Sequence, residues 1–161
     1  ISEASELKFK IYRPYDFIIS SNCLEHVANP IKALKRWKEV LKVNGKMILI
    51  LPNKEVSFDH LRPDTTIEHL IQDFTNNIGE DDLTHLDEIL KLHDLSIDKP
   101  AGSFDQFKKR SLSNFSNRGL HHHVFNKKTI FEMLSYCGFK IINNLTTKID
   151  HVFVVANFKS N

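Results

Sequence analysis

The chain has 161 residues, 41% hydrophobic and 26% charged, with a net charge of +2 from 22 basic and 20 acidic side chains. That length builds one domain with a real core rather than two, and so even a charge leaves no footprint for nucleic acid or an anionic membrane surface. No apolar run reaches the roughly 20 residues of a membrane-spanning helix, and Cys23 and Cys137 fit neither a metal-binding spacing nor a disulfide framework, so a reducing cytoplasm is the expected compartment.

The first predicted element is Tyr15-Asp16-Phe17-Ile18-Ile19-Ser20-Ser21. A short apolar run with β-branched centre and no alternation reads as a strand buried on both faces, hence one of a parallel sheet. Asn29-Pro30 is a helix start, with Asn as N-cap and Pro at the first helical position. Ile31, Leu34, Trp37 and Leu41 follow at helical spacing, and Gly45 stands where the helix is expected to stop. Gly45 to Pro52 (GKMILILP) reads as a second apolar strand, so strand, helix and strand make one parallel crossover.

Residues 54–126 change in texture. Thr65-Thr66-Ile67-Glu68 has the form of a capping box and opens a predicted helix with Ile67, Leu70, Ile71, Phe74 and Ile78 on one face. Leu83, Leu86, Ile89 and Leu90 mark a second helix, and Ser103 to Gln106 begin a third. We read this as a helical insertion or lid within one domain, with 1–53 and 127–161 forming the α/β core. Lys127 to Cys137 then reads as a helix stopped by Gly138. Phe139 to Thr147 and His151 to Phe158 read as two strands joined by a tight turn, therefore antiparallel, the first of them at an edge.

Several residues carry more than topology. Asp16 to Val27 (DFIISSNCLEHV) resembles the fourth strand and following loop of class I S-adenosylmethionine-dependent methyltransferases. Lys35 to Gly45 with the strand and Pro52-Asn53 resembles that family's next helix and strand, and Ser5-Glu6-Leu7-Lys8-Phe9 resembles the link before the fourth strand. The resemblance implies the second half of a Rossmann-like methyltransferase fold: α/β, with parallel strands, a terminal antiparallel hairpin and a helical insertion. Phe58 to Pro63, Leu92 to Leu95 and Asn117 to Phe125 resemble segments of a bacterial subset that accompanies glycosyltransferases, which implies a sugar or polysaccharide precursor as methyl acceptor.

The chain departs from that family in one large respect. Its five glycines, Gly45, Gly79, Gly102, Gly119 and Gly138, build no Gly-x-Gly loop, and no acidic residue holds a ribose. It also opens without Met, so a truncated domain spanning 1–161 is the expectation, with activity residing in an intact parent. The rival reading is a degenerate, non-catalytic half-domain that pairs with another chain, as a homodimer or with a missing N-terminal half, because an open central strand invites association.

What the resemblance implies for the site is S-adenosylmethionine as cofactor, beside Ser20, Ser21 and Asn22 at the carboxyl end of a parallel strand. Glu25-His26 keeps three readings: a structural element, a general base, or a divalent-cation site. The third is weakened by Asn22, where some relatives carry a further Glu, since Asn brings oxygen without charge. A base for a small polar acceptor is drawn from His26, His60 or His122. Arg62, His121 and His123 are expected to face the acceptor, Arg62 as a clamp for phosphate or carboxylate. No metal is expected at His121-His122-His123, for want of nearby partners, and a metal-dependent hydrolase is disfavoured for the same reason.

Overall fold

A computed structural model describes residues 4, 5 and 14–157. The link at residues 6–9 and the last residue of the second hairpin strand, Phe158, lie outside the described residues. Strand β1 (Tyr15–Ser21) leads through a 3-10 turn (Leu24–His26) into helix α1 (Pro30–Val40) and strand β2 (Leu41–Pro52). Helices α2 (Ile67–Thr75), α3 (Leu86–Leu92), α4 (Phe104–Leu112) and α5 (Asn114–Asn117) follow, with 3-10 turns at Lys54–Val56 and Lys99–Ala101. Helix α6 (Lys127–Tyr136) and strands β3 (Phe139–Thr146) and β4 (Asp150–Asn157) end the described chain. The sheet runs β1-β2-β4-β3, with β1 and β2 parallel and the other two pairings antiparallel. This is the α/β arrangement with a terminal hairpin that the sequence implies.

Local chemistry explains most boundaries. The Asn29 side chain accepts from the Lys32 N–H at 3.0 Å, and Pro30 occupies a position whose missing N–H costs nothing. Gly138, at φ +72°, takes the left-handed turn that ends α6. Helix α2 starts one residue later than its sequence suggests. Thr66 is the cap, accepting from His69, because Thr65 is occupied in tertiary bonds: its hydroxyl accepts from Val124 and its carbonyl from Thr129. The reciprocal capping box belongs instead to Ser103 and Gln106 at α4.

Gly45 does not cap α1. The helix ends at Val40 and β2 begins at Leu41, with a register shift that pairs Tyr15 with Leu41 but Phe17 with Lys46. Asn44, at φ +64°, turns this bulge. A Cβ on Gly45 would lie 2.8 Å from the Lys42 carbonyl and 3.2 Å from that of Asp16, so the residue is there for close backbone approach.

The main core lies on one face of the sheet. Met47, Leu49 and Leu51 of β2 and Phe153 and Val155 of β4 pack against Ile31, Leu34 and Trp37 of α1, Leu70 of α2, and Ile130, Met133 and Leu134 of α6. A smaller cluster of Ile89, Ala101, Phe107 and Leu120 organises the region from α3 onward. The expectation that β1 is buried on both faces is corrected: Tyr15, Phe17 and Ile19 are 49%, 65% and 60% exposed. β1 is an edge strand, and among the described residues the helices cover only the opposite sheet face. The apolar run holds for a parallel strand, but half of it is open.

Candidate functional site

The carboxyl ends of β1 and β2 meet the helical segment between β2 and α6 here. Asn22 leaves β1 at φ +45°, a left-handed conformation Asn tolerates, and its N–H donates to the Ile50 carbonyl at 3.0 Å. That turn starts the Leu24–His26 segment beside the end of β2 at Pro52. Between them and that helical segment lies a cavity of about 300 Å³, lined in part by Asn22, Glu25, His26, Ser57, Phe58 and His121. Ligands of open α/β sheets bind at this edge.

Its polar groups converge. Glu25, His26 and His121 bring one ligand atom each within 4.8 Å of one another. The His26 Nδ1 lies 3.0 Å from the Leu120 carbonyl, which only an N–H satisfies, so Nε2 keeps the lone pair. Burial, helped by the charge of His121, lowers the His26 ring to about 4, leaving it neutral at pH 7. His121 Nδ1 donates to Asp59 Oδ2 at 2.6 Å, again leaving Nε2 as acceptor. Burial pushes the Asp59 carboxyl up, but His121 and Arg62 outweigh it and hold the group below its ordinary value. Both carboxylate oxygens of Glu25 are buried without a hydrogen-bond partner, and burial raises its carboxyl. Its hydrogen-bonding capacity is therefore unused within the protein.

Arg62 is spoken for within the protein. Its Nε donates to Glu88 at 2.8 Å, one terminal nitrogen to Asp59 and the His121 carbonyl, both at 2.9 Å, and the other to the His122 carbonyl at 3.3 Å. At 2% exposed it fixes Asp59 and the backbone of residues 121–122 rather than reaching out as a clamp. Phe58 stacks on His93 with centroids 4.4 Å apart, and His93 meets Phe107 at 4.3 Å, so an aromatic ladder backs the cavity.

The other predicted site residues fall as follows. Ser20 is buried while Ser21 and Asn22 are exposed at the strand end. His60 pairs with Asp94 at 3.0 Å on the surface, outside the cavity lining. His122 is buried, lowered to about 4 by desolvation, and accepts from the Asn114 amide at 3.0 Å. His121 and His123 fall in different groups: His121 joins Glu25 and His26, whereas His123 meets His69 and His85. Sequence reasoning missed Asp59, Phe58, His69 and His85. Only Asp59-x-x-Arg62, a charge pair three apart in a turn segment, offered a signal.

Among the described residues no helix is long and apolar enough to cross a membrane.

No curated protein matches the chain. A family 2 O-methyltransferase of Planctomyces limnophilus, solved with apigenin, is 8% identical with a TM-score of 0.47, over 94% of this chain and 33% of its own. A SAM-dependent methyltransferase of Methanosarcina mazei is 21% identical with a TM-score of 0.46, over 99% of this chain and 66% of its own. A Bacillus halodurans protein assigned as a methyltransferase is 11% identical with a TM-score of 0.50, over 98% of this chain and 70% of its own, and shares the fold. The chain thus spans one third to about two thirds of the first two. The family model described as a methyltransferase domain matches residues 2–144, and the chain belongs to that family.

Proposed function

We propose that the whole protein transfers a methyl group from S-adenosylmethionine to a small polar acceptor, a sugar hydroxyl or amine, in the cavity between the β1 turn and the insertion. The observation that carries this reading is the convergence of Asn22, Glu25, His26 and the Asp59–His121 pair at the carboxyl edge of the parallel strands. The cofactor supplies an activated methyl on a good leaving group, so the protein's share is position, electrostatics and proton handling. Ser21 and Asn22, exposed and uncharged at the strand end, suit the cofactor's polar methionine portion. No glycine loop exists in the sequence to complete that pocket. In this reading the loop comes with a further half of the fold, seated along the exposed side of β1, where Phe17 and Ile19 await a cover.

His121 takes the acceptor's proton at Nε2. Asp59 fixes its tautomer and supports the cation that forms, the division of labour of a base and its orienting carboxylate. Arg62 in turn pins Asp59. Glu25 hydrogen-bonds the acceptor, and the Phe58–His93 stack keeps water from one side. The base is therefore assigned to His121 ahead of His26, whose desolvated ring is too weak an acceptor, and ahead of His60 and His122, which face elsewhere. The insertion, residues 54–126, acts as the lid that shapes the acceptor site. Calorimetric titration of the whole protein with S-adenosylmethionine tests the reading. Saturable binding at one site supports it, and absence of heat under conditions where the protein is folded defeats it.

A further inference from the structure

A second group of histidines lies apart from that cavity. His69 and Asp73 sit one turn apart on α2, on one face by their i,i+4 spacing. His85 caps α3, and His123 comes from the extended run before α6. His69 Nε2 lies 3.0 Å from His85 Nε2 and 3.3 Å from Asp73 Oδ2, which is in turn 3.7 Å from His123 Nε2. One ligand atom of each imidazole falls within 4.8 Å of the other two.

The three imidazoles lie within reach of one tetrahedral ion. With zinc–ligand bonds of about 2.0–2.1 Å, the edge of the tetrahedron is about 3.4 Å. The local hydrogen bonding is also incomplete in the way a cation would complete. Asp73 Oδ2 is buried and accepts no hydrogen bond, and His123 Nδ1 is buried with no partner. A supporting bond is in place: His123 Nε2 donates to the Ala28 carbonyl at 3.3 Å, which leaves Nδ1 as the ring nitrogen with a free lone pair. Such outer contacts orient metal-binding side chains.

We propose that His69, His85 and His123 bind one zinc ion, with the Asp73 carboxylate beside them to balance its charge. Three imidazoles are a borderline donor set that suits zinc, where magnesium or calcium would require oxygen ligands. The three imidazoles come from separate segments, and the ion sits between them. It ties α2, the start of α3 and the run before α6 into one unit, three segments that share no strand pairing. A cleft of about 300 Å³, lined in part by Thr66, His69, His85 and Glu88, provides an entry path. The assignment does not depend on methyl transfer.

The test is metal content of the folded protein after equilibration with equimolar zinc and removal of free ion. We expect about one zinc per chain, a fall in melting temperature on chelation, and a tetrahedral absorption spectrum when cobalt replaces zinc. His85→Ala should cut zinc content at least about tenfold, while His26→Ala, which dismantles the Glu25–His26–His121 group, should retain it. Should His85→Ala fail to fold, Asp73→Asn preserves shape, and competition with a chelator should show at least about tenfold weaker binding. Trace zinc in the wild type, unchanged content in His85→Ala, unchanged affinity in Asp73→Asn, or loss in His26→Ala would each overturn the assignment.

Discussion

Replacing Arg62 by Met removes a buried guanidinium and keeps most of its volume. The side chains of Arg62 and Asp59 are 1% and 4% exposed and sit 2.9 Å apart, so the substitution strands a buried carboxylate and two backbone carbonyls. Glu88, at 31% exposed, turns to water and contributes little. Breaking one side of a buried pair costs about 3–5 kcal/mol. His121 still donates to Asp59, which places the expected loss near the lower end, about 3 kcal/mol. Urea unfolding followed by the fluorescence of Trp37, the single tryptophan and a core residue, reads this directly. Adding Asp59→Asn should recover part of the loss, with a coupling of about 1–3 kcal/mol. A loss under about 1 kcal/mol, or additivity within about 0.5 kcal/mol, would refute the claim that Arg62 is a structural clamp on Asp59.

Gly45→Ala should destabilise by about 1–3 kcal/mol in the same assay, because the new methyl meets two backbone oxygens that cannot move aside freely. The His26 ring, depressed by desolvation and by His121, stays neutral in the folded state between its ordinary value and about 4, while the unfolded chain binds a proton. Stability should therefore fall as pH drops from about 6.5 to about 4 and then level off, by about 1–3 kcal/mol after allowance for solvent screening. Glu25, Asp59 and His121 face this ring in both wild type and variant, so His26→Gln should flatten that part of the profile, and an unchanged profile would rule His26 out as its source. In the whole protein, His121→Gln should lower kcat about 10²–10⁴-fold with a smaller change in KM. An equal effect from His60→Gln, on the surface pair with Asp94, would count against the assignment.

What the sequence made legible was local. Asn29-Pro30 marked α1, two apolar runs marked the parallel pair, and Gly138 and a short turn marked α6 and the hairpin. Tertiary contacts decided the remainder. Thr65 was spent on Val124 and Thr129, moving the cap to Thr66. Gly45 answers to Lys42 and Asp16, not to a helix end. Exposure of β1 depends on strand order, which an apolar run does not encode. The site followed the same rule. Asn22 and His26, which line the candidate cavity, stand out in the sequence by strand position and resemblance, but Asp59 meets His121 across 62 residues, and His69, His85 and His123 come from three segments. No spacing rule reports such meetings, and a run of three histidines conceals that its first and third members serve different clusters.

On the proposed function, the Asp59–His121 pair works at a methyl-transfer site. The direct measurement is transfer of label from methyl-labelled S-adenosylmethionine to a panel of sugars and sugar nucleotides by the whole protein, alongside His121→Gln. Label in the acceptor with wild type, and its loss in the variant while cofactor binding persists, is the expected result. Transfer at an equal rate in His121→Gln, or a wild type that binds the cofactor yet labels no small acceptor, would contradict the account.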